Sequence, residues 1–196
     1  MLLGELVYGG LGTGLTSMIL AALLTSFIAG LMTGRGAAYL GNSIGVGEMR
    51  LISLYVLIAP FIILPLTALA LMTAAGRAGL TTNLGPHGLT SIAFAYASSF
   101  ANNGQNFAGM NVNSPFFNYT TALAMLAGRF LLTFPMLALA GAFAEQRRRV
   151  ITEGSVPAES PAFAVLLVAM ILVVAGLNFL PLLCMGPVVE HLMLWH

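Results

Sequence analysis

The sequence predicts an all-α membrane protein, with about four transmembrane helices plus one shorter helix that dips in and returns through an amide-rich loop. Three observations lead there. The 196 residues are 59% hydrophobic and 7% charged, with a mean hydropathy of +0.96, whereas roughly a quarter of a soluble domain is charged. Four uncharged or nearly uncharged stretches have the length, about 20 residues, that a bilayer crossing needs. Between the second and third lies "ANNGQNFAG", residues 101 to 109, with three asparagines, a glutamine and two glycines in an otherwise apolar chain.

The first span, Leu15 to Thr33, is uncharged and is closed by Gly34-Arg35-Gly36. Before it stands "GGLGTG", with Gly9, Gly10, Gly12 and Gly14. This run lacks the Lys and Ser/Thr ending of a phosphate loop. The second span, Leu51 to Ala75, carries Pro60 and Pro65, which should kink it. The third, Ser114 to Ala144, begins at a Ser-Pro helix-start pair and holds one charge, Arg129. An arginine at mid-span costs about 2.5–3.5 kcal/mol on insertion scales, so it should face a pore, a partner or water. Two roles suit it: a fixed charge shaping an ion path, or half of a structural pair, with Glu5 and Glu190 as candidate acids near the outer boundary. The fourth span, Ala162 to Met185, is uncharged and has Pro181 near its end.

Arginines orient these spans. Arg35 and Arg50 lie in the first connection and Arg147, Arg148 and Arg149 in the third, whereas the second connection, residues 76 to 113, has only Arg77. The positive-inside rule counts basic residues, so both termini and the amide-rich loop are expected outside. The Arg147 run is a topogenic signal rather than a nucleic-acid patch. With no lysine, only glutamates as acids and a formal charge of +1, the chain carries no message about nucleic acid. Cys184 is the only cysteine, which excludes a disulfide framework and a thiolate metal site. His87, His191 and His196 are not spaced as inward-facing ligand pairs and read as surface or capping residues. The 11 methionines read as packing. No charged n-region or cleavage site marks the N-terminus, so nothing is expected to be trimmed.

The second connection is the informative one. Leu89 to Phe100 follows a "GPHG" breaker and is twelve residues long, roughly 18 Å as a helix, about half a bilayer. Such a segment lies on the surface or dips in and returns, and irregular backbone at depth needs protein or a water path around it. A helix dipping in points its negative end at the membrane centre. Gly104 and Gly109 would then let carbonyls face an axis, braced by neutral amides, as in a filter for desolvated monovalent cations. An exterior loop with Asn-Gly turns is the other reading of the same residues.

Further residues bear on that choice. "GPHG", "ANNGQNFAG", "NSPFFN", "GRF", "GGLGTGL", "FIAGLMTGR" and "MGPVVEHL", from about Gly4 to Leu192, together resemble the potassium-binding subunit of the Kdp-type potassium-transporting ATPase. The resemblance implies a potassium-channel-like architecture of four outer helix–pore loop–inner helix repeats around one pore. It covers the C-terminal part of such a subunit. Residues 1–50 would be the third repeat's inner helix and a cytoplasmic connection, 51–144 the complete fourth repeat, and 145–196 a cytoplasmic loop and closing helix.

By the same resemblance Asn102, Asn103 and Gly104 occupy the filter and hold K+, flanked by Ala101 and Gln105. Backbone carbonyls would do most of the coordination; the Asn side chains, Gln105 and Asn106 would brace. The glycines at 9, 10, 12 and 14 would belong to a gate-like interruption of the third inner helix, or else form a terminal linker. The implied activity is uptake of extracellular K+ into an ATP-driven complex in a bacterial-type inner (plasma) membrane. K+ is the transported ion and no organic cofactor is expected. This chain is not the enzyme: ATP hydrolysis is implied for a P-type catalytic partner, with small accessory membrane subunits, the remaining N-terminal repeats and lipid as the other partners, and no nucleic acid. A passive potassium channel or uptake transporter of the same superfamily, and a redox anchor subunit using His ligands, are the alternatives; dependence on ATP and a haem spectrum separate them.

The orientation predicts that a cysteine introduced at Ser155 is labelled only from the cytoplasmic side, and one at His196 only from outside. The reverse labelling pattern would overturn the orientation and the outward-facing loop with it.

Overall fold

The computed structural model describes residues 15–34, 36–82, 84–105, 109–146 and 157–194. Gly9, Gly10, Gly12, Gly14, Glu5, Arg35, Asn106, Arg147, Arg148, Arg149, Ser155 and His196 lie outside the described residues. In chain order the elements are α1 (Thr16–Met32), β1 (Ala38–Tyr39), β2 (Asn42–Ser43), α2 (Val46–Met72), α3 (Ala74–Arg77), α4 (Gly88–Phe100), α5 (Pro115–Glu145) and α6 (Pro161–Met193). Among the described residues, three helices are long and apolar enough to cross a membrane: α2 with 27 residues, α5 with 31 and α6 with 33. α1 has 17 residues, at the lower end of the length that spans.

The helix limits follow from local chemistry. α1 stops where Gly34 takes a φ of 65° and its N–H donates to the Leu31 carbonyl, a left-handed closure that glycine adopts without penalty. α2 begins at Val46, five residues before its apolar run, because the Glu48 carboxylate turns back to accept the Gly45 N–H at 2.9 Å, half of a capping box. It runs through Pro60 and Pro65 and ends at Met72, followed by Thr73, whose hydroxyl caps α3 by accepting the Gly76 N–H at 3.2 Å. Arg77 donates to the Leu71 carbonyl at 3.3 Å, placing a cation on the negative end of α2. The Ser114-Pro115 start works as expected, with Ser114 Oγ accepting the Phe117 N–H at 3.3 Å, and Ser160, not singled out from the sequence, caps α6 the same way by accepting the Phe163 N–H at 3.2 Å. α6 continues past Pro181 and Pro187 to Met193, eight residues beyond the limit that hydropathy alone suggests.

Two compact units divide the described chain: Ile58–Leu131 with Gly176–His196, and Leu2–Leu57 with Leu132–Ala175. The second unit contains α1, the β1–β2 hairpin and the adjoining parts of α2, α5 and α6. The hairpin is a small addition to an all-α chain, pairing Ala38 with Ser43 and Tyr39 with Asn42. Its turn places Leu40 and Gly41 at φ of 49° and 86°, the sign pattern of the tight turn whose twist suits two strands. Tyr39 stacks on Phe163 with ring centroids 6.3 Å apart, and Leu20, Leu23, Ile52, Leu139 and Ile171 are buried.

A polar staple closes this unit. Gln146 Oε1 accepts the Ser43 N–H at 3.0 Å, and Gln146 Nε2 donates to Glu48 Oε1 at 2.7 Å. One side chain at the end of α5 therefore ties down both the hairpin and the start of α2. Gln146→Ala strips partners from a half-buried carboxylate and a backbone N–H, at a cost of about 1–3 kcal/mol. Thermal unfolding of the complete subunit should show a lower midpoint than that of a Gly141→Ala control; equal midpoints would remove the staple from the stability argument.

Candidate functional site

In the first unit the half-length helix is the most enclosed element. α4 has 13 residues, roughly 20 Å of helix, and none of them is exposed. Ile92, Ala95, Tyr96 and Ser98 have no accessible surface at all. A helix lying on a membrane surface would keep one polar face wet; α4 keeps none. Ser91, Ala93, Ala95, Ser98 and Ser99 give it a small-residue surface against which neighbours approach closely. Thr120 Oγ1 donates to the Phe116 carbonyl at 2.9 Å, which leaves Tyr96 Oη to donate to Thr120 at 2.8 Å. The Tyr96 ring also lies 6.2 Å from that of Phe117. At the start of α4, His87 Nε2 meets Glu190 Oε1 of α6 at 2.9 Å, an exposed pair.

The chain leaves for α4 and comes back at one place. Thr81 N–H donates to the Gly109 carbonyl at 2.9 Å and Asn111 N–H to the Gly79 carbonyl at 2.8 Å, with Leu80 and Met110 bridged. Thr81 Oγ1 also bonds to the Gly109 carbonyl. Gly109, expected to turn a carbonyl toward an axis, has instead a φ of 89° that serves this clamp.

After α4 the backbone turns sharply. Asn102 takes a φ of 59° and Gly104 one of 71°. Asn103 N–H donates to the Ser98 carbonyl at 3.1 Å and Asn102 N–H to the Ser99 carbonyl at 3.0 Å, the paired bonds of a Schellman closure, with Asn where glycine is usual. Ala101 N–H donates to Ala97 and Gly104 N–H to Ser98. The amides act as braces: Asn102 Nδ2 donates to the Phe100 carbonyl at 3.0 Å. Asn103 Oδ1 accepts the Ser98 hydroxyl and, at 3.0 Å, the Gln105 N–H. Every backbone N–H from Ala101 to Gln105 is thus engaged within α4 and its cap. Ala101 is buried, Asn102 and Asn103 half-buried, and Gly104 and Gln105 exposed.

A family pattern described as KdpA, potassium-transporting ATPase A subunit, matches residues 1–192. The chain belongs to this family. Proteins named potassium-transporting ATPase potassium-binding subunit are similar along its length. That of Laribacter hongkongensis is 47% identical over 195 residues, covering 100% of this chain and 34% of the relative. Those of Pectobacterium carotovorum and Chromobacterium violaceum are 48% and 46% identical over 192 residues, covering 98% of this chain and 34% and 32% of the relatives. The chain spans about a third of the length of the curated relatives it matches. With its three long apolar helices, this KdpA-family chain is a membrane protein.

The residues expected to form a filter in a KdpA-family chain, Ala101 to Gln105, are contiguous at the end of α4. Arg129 is exposed on α5, one residue beyond Gly128, whose backbone adjoins the Phe100 carbonyl. Glu190, a candidate partner for Arg129, instead meets His87 at the opposite end of α4. Sequence reasoning did not single out Ser98 or the Phe100 carbonyl, since a hydroxyl in an apolar helix and a backbone oxygen carry no signal of their own. Asn103→Ala deletes the oxygen that serves both Ser98 and Gln105, and should loosen the loop by about 1–3 kcal/mol. Faster amide hydrogen exchange across residues 98–105 of the complete subunit is the expected result; unchanged exchange would show that the carboxamide is not a brace.

Proposed function

We propose that residues 101–105 form one wall of a carbonyl-lined filter that binds K+ from outside and passes it into an ATP-driven uptake complex. The observation that carries this reading is the engagement of every N–H from Ala101 to Gln105 by the end of α4 and by Asn103. A segment whose donors are all occupied offers a passing ion acceptors. Acceptors without formal charge suit a monovalent cation that sheds water. The negative end of the α4 dipole points the same way.

Enclosure of α4 and the paired ends of its excursion support a re-entrant segment rather than a surface helix. On this reading α1 is the fourth crossing, both termini are outside, and the membrane is a bacterial inner membrane. Residues 51–144 then make a complete outer helix–pore loop–inner helix repeat. The relatives' names refer to a potassium-binding subunit of an ATPase, which supports an ion-binding, non-hydrolytic role. ATP hydrolysis would fall to a P-type partner, with small accessory subunits and the remaining repeats completing the assembly. K+ is the cargo, held chiefly by backbone at Asn102, Asn103 and Gly104. Arg129 would set the potential below it.

Gly104→Asp tests the site. Gly104 has open space where a Cβ would stand but a φ of 71°, so aspartate meets no clash yet both strains the backbone and adds a charge at a site tuned by carbonyl positions. In the complete subunit within the assembled ATPase, apparent K+ affinity should fall about tenfold, or other cations should be admitted. Unchanged affinity and selectivity would remove residues 101–105 from the ion path.

A further inference from the structure

We infer that Gly128 is a positioning residue for the ion site, acting through the carbonyl of Phe100. The inference rests on reading residues 101–105 as the filter. A Cβ placed on Gly128 would overlap the Phe100 carbonyl oxygen and stand 2.8 Å from its carbon and 3.2 Å from its Cα. All three atoms are backbone, so no flexible side chain can give way. α5 therefore touches the last peptide of α4 directly, and only glycine permits it.

The same oxygen accepts Asn102 Nδ2 at 3.0 Å. Asn102 is the left-handed residue of the cap, with its own N–H bound to Ser99. Three groups thus share one peptide: the Gly128 backbone on one side, the Asn102 amide on another, and the start of the loop through the chain itself. Farther back, Tyr96 is held to α5 through Thr120 and Phe117. With its middle fixed, α4 cannot tilt freely to relieve pressure at Gly128, and the displacement falls on Phe100 and the cap. Ion sites built from backbone carbonyls respond to small shifts in those carbonyls. Gly128 would thereby set where the loop stands without touching the ion.

The test uses the complete subunit in the assembled ATPase, with K+ and the slightly larger Rb+ as probes. Gly128→Ala should raise KM for K+ about tenfold and change the Rb+ to K+ preference, with kcat within about twofold of the parent. Gly141→Ala, on the same helix with open space around it, should change neither. An unaltered KM and ion preference in Gly128→Ala would overturn the inference.

Should Gly128→Ala fail to assemble, Asn102→Gly decides. Glycine keeps the left-handed cap and adds no volume, yet it removes the amide from the Phe100 carbonyl. It should shift ion preference in its own right, and an unchanged preference would show that the hold on this carbonyl does not reach the ion. Gly104→Asp separates the two layers. If it also leaves KM unchanged, the filter reading has failed; if it moves KM while Gly128→Ala does not, only the role of Gly128 falls.

Discussion

The end of α4 is a helix terminus enclosed by protein up to Ala101, and much of the first unit answers that constraint. A helix leaves its last four carbonyls without intrahelical partners, and an unpaired polar group away from water costs several kcal/mol in a membrane. No residue of α4 is exposed, so its carbonyls must be satisfied by protein. The Schellman bonds from Asn102 and Asn103 take Ser99 and Ser98, and Ala101 takes Ala97. Phe100 is left over, and the Asn102 side chain takes it. That explains the residue type: glycine would close the same turn more cheaply, but has no amide for the remaining carbonyl. The run of asparagines that stands out in an apolar sequence is the hydrogen-bonding complement of a buried helix end.

The same constraint ranks the helices. α2, α5 and α6 bury only 28%, 33% and 17% of their most apolar windows, with Phe61, Phe134 and Leu180 among the exposed residues. Lipid tails are as apolar as those side chains, so they supply little drive for one helix to seek another. Close approach and hydrogen bonds do that instead. Around α4 they are supplied by Gly128 at Phe100, Gly186 at 3.3 Å from the Pro86 carbonyl measured to an added Cβ, and the Tyr96–Thr120 pair. The apolar bulk keeps the long helices in lipid, while a few glycines and hydroxyls decide where α4 stands.

This division of labour explains what was legible in the sequence. Hydropathy gives the existence of the long helices, and Ser114-Pro115 gives the start of α5 because a cap is local chemistry. The half-length of α4 was legible from the breaker before Leu89 and the polar run after Phe100. The end of α6 was not, because Met185 to Met193 is held by Gly186 and Glu190 beside residues about a hundred positions away. The hairpin at 38–43 has strands of two residues and a leucine at positive φ, too short for any alternation to register. In the loop, the bracing role of amides could be read from residue type. Their partners could not, because most are backbone atoms, and Gly109 serves the Thr81 clamp for the same reason.

The placement of charge gives the proposed site its character. Among the described residues of the first unit the sole acid is Glu190, paired with His87 at the start of α4, roughly 20 Å of helix away from the loop. Among the described residues no cluster of His, Cys, Asp or Glu could hold a metal ion. Among the described residues of this unit, what adjoins residues 101–105 is the negative end of α4 and neutral amides rather than a carboxylate. A ring of carboxylates holds a cation by formal charge and favours divalent ions, which gain most from it. Neutral acceptors return less energy and so suit an ion that gives up its water readily. Release matters as much as capture in transport, and a site without formal charge leaves no deep electrostatic well behind. Arg129 follows directly the glycine whose backbone touches Phe100 at the negative end of α4. On the proposed reading, a cation near that end would oppose the ion's further passage, while neutral acceptors at residues 101–105 would hold the ion without formal charge.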